Sequence, residues 1–281
     1  MSEQRAGVIG LGTIGGGVAV SLARRGRVPV VYDIRPDAAD HLAGVPAPLA
    51  SPAEVARASD VVMVAVVDAD QARTVLSGER GVLSGAHPGL VVVLLSTVAV
   101  PVVQELAETC AQAGVELLDC GVTPGDKAAE NGLVAILGGA EHTVERAMPV
   151  LADFAKCVVH CGPLGAGMAT KIARNVITYG TWRAVHEAST LAEAAGVDPA
   201  KLLTVIDEAD PEGATLLSWQ RMRLAGKPET LAMVSQVERL LDKDLAAAQE
   251  LAGRVGVAVP LVDVAREHGK ETLEIRVRED A

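Results

Sequence analysis

The first 162 residues alternate short, unbroken apolar runs with longer segments of helix-forming composition. Strands are predicted at residues 6–10, 28–32, 61–67, 90–95, 115–118, 133–137 and 157–160. Helices are predicted at residues 16–25, from residue 52, at 102–113 and at 144–154. Continuous Val- and Leu-rich strands are typical of a parallel sheet that helices cover on both faces. The pattern therefore predicts an α/β domain with a doubly wound parallel sheet.

Beyond residue 162 the pattern is helical. Helix-forming residues run from about 166 to 195, Asp198-Pro199 begins another helix, and residues 231–254 predict a long one. The chain is therefore predicted to have two domains, residues 1–162 and an all-helical domain of residues 163–281. The helix from about 166 to 195 joins them. The charged tail from Lys270 is expected to fray.

One stripe of the helix at 166–195 carries polar side chains. Lys171, Asn175, Thr178 and Trp182 are spaced 4, 3 and 4 residues apart, so they share one helical face. An ammonium, an amide, a hydroxyl and an indole along one stripe suit a substrate site. The alternative is a solvated lysine beside residues that pack in the core.

A glycine-rich turn lies between the first predicted strand and the first predicted helix. Gly10-Leu11-Gly12-Thr13-Ile14-Gly15 matches G-x-G-x-x-G, and Asp33 follows 23 residues after Gly10 at the end of the second predicted strand. Glycines let the backbone approach a pyrophosphate, whose charge the amides of a helix N-terminus meet. Asp33 is placed to bind the adenosine ribose. The order of strand, turn, helix and acid predicts dinucleotide binding by a Rossmann-type domain.

The cofactor choice depends on two neighbouring residues. A carboxylate at Asp33 bonds the ribose 2′-hydroxyl and repels a 2′-phosphate, which predicts NAD. Arg35 could instead pair with that phosphate, so NADP remains the alternative.

Composition narrows the partners and the compartment. The net charge of −11 disfavours a nucleic-acid surface, and the four cysteines form no CxxC pair, so neither nucleic acid nor a metal site is predicted. Arg5 and a glycine run stand where a signal peptide needs an apolar segment. The apolar runs are too short to cross a membrane. We therefore expect a soluble cytoplasmic protein without a membrane partner.

Four motifs, in order along nearly the whole chain, resemble those of the β-hydroxyacid dehydrogenase family, which includes 3-hydroxyisobutyrate dehydrogenase and tartronate semialdehyde reductase. They are VIGLGTIGGGVAVSLARRG at residues 8–26, DCGVTPG at 119–125 against the family's D-A-P-V-S-G-G substrate loop, the segment 162–175 against G-x-x-G-x-G-x-x-x-K-x-x-x-N, and Lys243-Asp244-Leu245 against K-D-L. The resemblance implies hydride transfer between a nicotinamide and a β-hydroxy acid or related alcohol. It also implies a homodimer or homotetramer formed through the helical domain.

The resemblance gives individual residues their expected roles. Lys171 matches the family's general acid/base, and Asn175 holds the substrate or a water. With the residues discussed above, the predicted cofactor-binding set is Gly10, Leu11, Gly12, Thr13, Ile14, Gly15, Asp33, Arg35, Val66, Val67, Thr97 and Lys243. The predicted substrate-binding set is Thr123, Pro124, Gly125, Lys171, Asn175, Trp182 and Lys243.

Two departures from the family pattern concern the substrate. Pro124 replaces the first glycine of the substrate loop and removes an amide donor for the substrate carboxylate. Arg174 stands where many members have asparagine; it is a candidate replacement donor, or it points to solvent or a partner subunit. We therefore expect weak activity on 3-hydroxyisobutyrate and better activity on a bulkier or less acidic alcohol.

Two other functions remain open from the sequence. Imine reductases resemble the architecture throughout but generally carry Asp or Tyr at the position of Lys171. A non-catalytic dinucleotide-binding protein has precedent in the family where the lysine is lost. Retention of Lys171 and Asn175 favours the dehydrogenase.

Overall fold

The computed structural model describes residues 4–225 and 228–273. Its contacts divide the chain into two compact units, Met1–Val176 (the first unit) and Ile177–Ala281 (the helical unit). The division falls inside one long helix, which begins in the first unit and ends in the helical unit. Among the described residues, no helix combines the length and apolar character that crossing a membrane requires.

The first unit is built on a seven-stranded sheet in the order β2-β1-β3-β4-β5-β6-β7. The strands are Ala6–Ile9 (β1), Val30–Tyr32 (β2), Val61–Val64 (β3), Val91–Leu94 (β4), Glu116–Thr123 (β5), Leu133–Gly138 (β6) and Ala155–His160 (β7). Neighbouring strands run parallel except β5 and β6. The doubly wound Rossmann-type fold followed by an all-helical part is confirmed.

The antiparallel pairing of β5 with β6 departs from the predicted parallel sheet, and β5 extends to Thr123, beyond the predicted end at residue 118. A parallel neighbour needs a crossover of a dozen or more residues, which is usually a helix. Between Thr123 and Leu133 the chain forms only a short 3₁₀ helix, Gly125–Glu130. The strand therefore returns antiparallel, with Asp119 opposite Gly138 and Thr123 opposite Val134.

Helices cover both faces of the sheet, which is why its strands are apolar without alternation. The helices of the first unit are Thr13–Arg24 (α1), Pro52–Ala58 (α2), Ala69–Ser77 (α3), Val100–Gln112 (α4), Glu141–Phe154 (α5) and the start of Ala166–Ala194 (α6). Met63 packs in the core on the α1 and α5 side, whereas its neighbours Val62 and Val64 pack on the other side with residues of α2, α3 and α4.

The helical unit contains the rest of α6 and five further α-helices among its described residues. These are Pro199–Ala209 (α7), Ser218–Ala225 (α8), Pro228–Val255 (α9), Pro260–Glu267 (α10) and Gly269–Thr272 (α11). The predicted cap at Asp198 is formed, with its Oδ1 accepting the Ala200 N–H at 2.9 Å. Of the tail predicted to fray, Lys270 lies in α11 and residues 274–281 lie outside the described residues.

A buried carboxylate links two helices of the helical unit. Glu187, on α6, is 3% exposed and accepts the main-chain N–H groups of Leu261 and Val262 at 3.0 Å each. These donors open α10, so Glu187 serves as a cap from a distant part of the chain. Arg183 adds an ion pair at 3.3 Å.

Candidate active site

The glycine-rich turn has the geometry that a bound pyrophosphate requires. Gly10 has a φ of 86°, and a Cβ there would collide with the Ala65 carbonyl oxygen. A Cβ at Gly15 would collide with the Gly10 carbonyl oxygen. At Gly12, the residue before α1, an added Cβ would meet nothing within 4 Å. The helix N-terminus therefore opens onto free space, where its amides can receive an anion.

Asp33 follows β2 and lies against the glycine turn. Its side chain is 8% exposed, and its Oδ2 accepts the Leu11 N–H at 2.7 Å. Oδ1 accepts the main-chain N–H and Nε of Arg35 at 2.9 and 3.0 Å. Burial alone raises the pKa of Asp33, but the hydrogen bonds from Arg35 and Leu11 and the Arg35 charge outweigh it and hold the pKa below its ordinary value. The carboxylate is therefore ionised and partly covered by Arg35.

A cavity of about 820 Å³ opens beside this pair. Its walls come from the ends of β1 and β2 and from the segment between β3 and α3, where the strand order reverses and doubly wound folds bind their ligands. Predicted cofactor residues in its lining are Gly10, Gly12, Asp33, Arg35, Val66 and Val67. Leu11, Thr13, Ile14 and Gly15 form the adjoining turn and helix start. The cavity thus has the position and lining that fit a dinucleotide.

Val66 and Val67 lie in a loop, whereas the apolar run had predicted a strand to residue 67. Strand β3 ends at Val64, because the main-chain groups of Val66 form hydrogen bonds with a side chain and not with a neighbouring strand. Its N–H donates to Ser96 Oγ at 2.9 Å, and that hydroxyl donates back to the Val66 carbonyl at 2.7 Å. Ser96 thus holds the segment at the cavity wall, and Thr97 is exposed beyond the carboxyl end of β4.

Sequence reasoning missed several polar residues of the cavity. Gln71, Asp68, Thr74 and Arg80 are among its lining. Asp68 caps α3 by accepting the Gln71 N–H at 2.8 Å, and Gln71 accepts the Val67 N–H at 3.1 Å. The signal was present in the sequence, since Asp68 directly follows an apolar run and precedes a helical segment.

Lys171 is buried on the first turns of α6. Its Nζ donates to the carbonyl oxygen of Val122, in β5, at 2.7 Å. Burial lowers the pKa of Lys171, and the nearby charge of Arg174 lowers it further. A lysine in this state can exchange a proton nearer neutral pH than an exposed one can.

The substrate loop, residues 119–125, contains the end of β5 and the predicted substrate-binding residues Thr123, Pro124 and Gly125. Thr123 ends the strand, the Thr123–Pro124 peptide is cis, and the Pro124 carbonyl accepts the Lys127 N–H at 3.3 Å. A Cβ on Gly125 would lie 3.1 Å from Ile14 Cδ1. The substrate loop therefore lies directly against the cofactor turn.

Asn175 lies one turn beyond Lys171 and is half-buried. Arg174 Nη1 donates to Asn175 Oδ1 at 3.3 Å. That contact directs the amide NH₂ of Asn175 away from Arg174, where it can donate to a ligand oxygen. The arginine therefore contacts a predicted substrate residue.

Two predicted residues belong to the helical unit. Trp182 is 64% exposed and packs edge to face against Tyr179, with ring centroids 5.2 Å apart. Lys243 lies on α9, is 69% exposed and pairs with Asp244 at 3.1 Å. Their part in the substrate or cofactor site stays a prediction.

Comparison with known proteins identifies the relatives of this chain. Residues 5–162 match the family model for the NAD binding domain of 6-phosphogluconate dehydrogenase. Residues 165–278 match the family model for the NAD-binding part of NADP-dependent 3-hydroxyisobutyrate dehydrogenase. The chain belongs to the β-hydroxyacid dehydrogenase family. The 2-(hydroxymethyl)glutarate dehydrogenase of Eubacterium barkeri is 30% identical over 269 residues, covering 92% of this chain and 86% of that protein.

Solved structures agree with this membership. An oxidoreductase of Mycobacterium avium 104 superposes with a TM-score of 0.85 at 29% identity, covering 97% of this chain and 99% of that one. An imine reductase of Myxococcus stipitatus in complex with NADP⁺ has a TM-score of 0.78 at 18% identity, covering 96% and 94%, which shows the fold alone. The chain is an NAD(P)-dependent oxidoreductase of the dehydrogenase type that acts on CH–OH groups.

Proposed function

We propose that this β-hydroxyacid dehydrogenase family member uses Lys171 as the general acid/base for a β-hydroxy acid or related alcohol. The observation that carries this assignment is the buried Nζ of Lys171, 2.7 Å from the Val122 carbonyl in the substrate loop. When bound, the nicotinamide accepts or supplies the hydride at the carbinol carbon. The protein's task is then to move one proton at the substrate oxygen.

Lys171 moves that proton in opposite senses in the two directions. During oxidation its neutral amine takes the hydroxyl proton and becomes an ammonium. During reduction the ammonium returns a proton to the carbonyl oxygen. Nζ can keep one N–H on the Val122 carbonyl in both states, because an amine has two hydrogens and an ammonium three. Asn175 can hold the substrate oxygen without adding charge.

The substrate proposed is bulkier than 3-hydroxyisobutyrate or less acidic. Pro124 lacks the N–H that a glycine at this position would offer to a carboxylate. The relative from Eubacterium barkeri is named for a diacid that carries a hydroxymethyl group. That molecule is larger than 3-hydroxyisobutyrate, which supports a bulkier substrate.

A substrate panel tests the function as a whole. Purified protein is mixed with β-hydroxy acids and related alcohols, each with NAD and with NADP, and formation of the reduced cofactor is measured. Turnover of at least one hydroxy compound supports the proposal. Reduction of cyclic imines without any alcohol oxidation supports the imine reductase instead, and cofactor binding without turnover supports the non-catalytic protein.

We expect a higher kcat/KM with NAD than with NADP, because the ionised Asp33 repels a 2′-phosphate. Asp33→Ala should narrow the difference. Arg35→Ala should widen it about tenfold, since it uncovers the carboxylate and removes a partner for the phosphate. Arg73→Ala is the control, because that arginine pairs with Glu105 and Asp70 on an exposed surface. A higher kcat/KM of the wild type with NADP contradicts the preference.

We further propose that two or four copies assemble through the helical unit. None of the side chains of α7 is buried among the described residues, and Leu203, Val205 and Ile206 on it are largely exposed. Exposed apolar surface of this kind is typical of an interface. Light scattering should give a dimeric or tetrameric mass for the wild type and a lower one for Ile206→Glu. A monomeric wild type contradicts the assembly.

The proposed location is the cytoplasm. All four cysteines, Cys110, Cys120, Cys157 and Cys161, are free thiols. Unpaired cysteines are typical of proteins in a reducing compartment, which supports this location.

A further inference from the structure

Asp119 is a buried carboxylate to which the proton transfer assigns no role. It lies in β5, fully buried, and accepts two main-chain N–H groups at the start of α6. Oδ1 accepts the Gly165 N–H at 2.7 Å, and Oδ2 accepts the Met168 N–H at 2.6 Å. A helix leaves its first N–H groups without partners within the helix, and Asp119 satisfies them from the sheet.

Two further residues of the same strand contact Lys171 itself. A Cβ on Gly121 would collide with Lys171 Cβ and lie 2.8 Å from its Cγ, so the strand backbone packs directly against the aliphatic part of the lysine side chain. The Val122 carbonyl then receives Nζ. Asp119 and Gly121 are two residues apart and therefore face the same side of the strand. One strand thus holds the start of α6, the stem of Lys171 and its amine.

The neighbouring strand leaves this arrangement little freedom. A Cβ on Gly138, in β6, would collide with Asp119 Oδ1 and lie 2.6 Å from the Gly167 nitrogen. The helix start therefore lies backbone to backbone on the sheet, with Asp119 enclosed between them. Met168 precedes Lys171 by one turn of α6, so a shift of the helix start carries the lysine with it.

We propose that Asp119 is a positioning residue of the reaction, whose carboxylate anchors α6 so that the Lys171 amine stays against the Val122 carbonyl and out of water. The inference rests on the proposed role of Lys171 as general acid/base. It assigns Asp119 no contact with the substrate or with the cofactor.

The pH profile separates positioning from other roles. Burial is the main cause that lowers the pKa of Lys171, so an amine released into water regains a higher pKa. Oxidation needs the neutral amine, and the rising limb of its pH profile therefore moves to higher pH. A direct effect of the lost Asp119 charge would act in the opposite direction, because removing a negative charge near a lysine lowers its pKa. Arg174, whose charge lowers the pKa of Lys171, is unchanged in this variant.

The experiment compares Asp119→Asn with wild type and with Glu187→Gln. Asparagine keeps one acceptor oxygen and turns an NH₂ toward the second N–H donor. Glu187→Gln makes the same change at a buried helix-capping carboxylate in the helical unit. For each protein we would measure kcat against pH in the oxidation direction, the dissociation constant of NADH and the melting temperature.

Asp119→Asn should lower kcat by about tenfold or more, because a small displacement of a catalytic group is costly. The rising limb should move up by roughly half a pH unit or more, and the NADH dissociation constant should change little. Glu187→Gln should lower the melting temperature without moving the limb. A limb that stays in place while the melting temperature falls, or one that moves to lower pH, overturns the proposal.

Gly121→Ala provides the test if Asp119→Asn does not fold. It keeps the carboxylate and displaces the lysine stem from the strand side, so the same fall in kcat and rise of the limb are expected. A Gly121→Ala enzyme with wild-type kcat and limb overturns the proposal. Lys171→Ala in the same assay distinguishes a failure of the Asp119 proposal from a failure of the proposed function. If Lys171→Ala stays active, the proposed function fails as well. If it is inactive, only the role of Asp119 is overturned.

Discussion

Lys171→Ala should lower kcat by about 10²- to 10⁴-fold, the range typical for removing a general acid/base. The NADH dissociation constant should stay close to that of wild type, because Lys171 bonds the Val122 carbonyl, whereas the glycine turn is bonded to Asp33 through Leu11. Steady-state kinetics with the best substrate of the panel and a fluorescence titration with NADH measure the two quantities.

Lys156→Ala is a suitable control, since Lys156 is exposed on β7 in the same unit. A Lys171→Ala enzyme that keeps more than about a tenth of the wild-type rate contradicts the assignment. Asn175→Ala should cost less than Lys171→Ala, because the amide positions a ligand and transfers no proton.

Pro124→Gly should improve the use of 3-hydroxyisobutyrate, on which the wild type is expected to be weak. The change adds a main-chain N–H to the substrate loop, where the family resemblance places the substrate carboxylate. A hydrogen bond to a charged group is worth about 1.5–3 kcal/mol, which corresponds to about ten- to a hundredfold in affinity. KM should therefore fall by that factor for 3-hydroxyisobutyrate, and by less for the best substrate found.

The control for this prediction is Pro88→Gly, at an exposed proline outside the substrate loop. A wild-type KM for 3-hydroxyisobutyrate well below millimolar, together with no effect of Pro124→Gly, contradicts the idea. Arg174→Ala tests a second source of the missing donor. If it raises KM for carboxylate substrates alone, Arg174 supplies the interaction that Pro124 cannot.

Most elements of the first unit and the cofactor turn could be predicted from the residues alone, and the family resemblance supplied the predicted catalytic lysine. Strand and helix periods are local, and so is the steric need for glycine at Gly10 and Gly15. The acid that follows β2 lies at a spacing set by one strand–helix–strand unit. These features depend on residues close together in the chain, so the pattern of side chains is enough to find them.

The contacts that hold the site together could not be predicted from the sequence, because they join segments that lie far apart in the chain. The Asp119 carboxylate caps a helix 46 and 49 residues further along the chain. Lys171 reaches a carbonyl 49 residues before it, and burial by the surrounding fold lowers its pKa. The sequence of a strand does not show which main-chain groups a carboxylate in it will bind. Its role follows only when the sheet and α6 pack together, since packing brings the unpaired N–H groups to it.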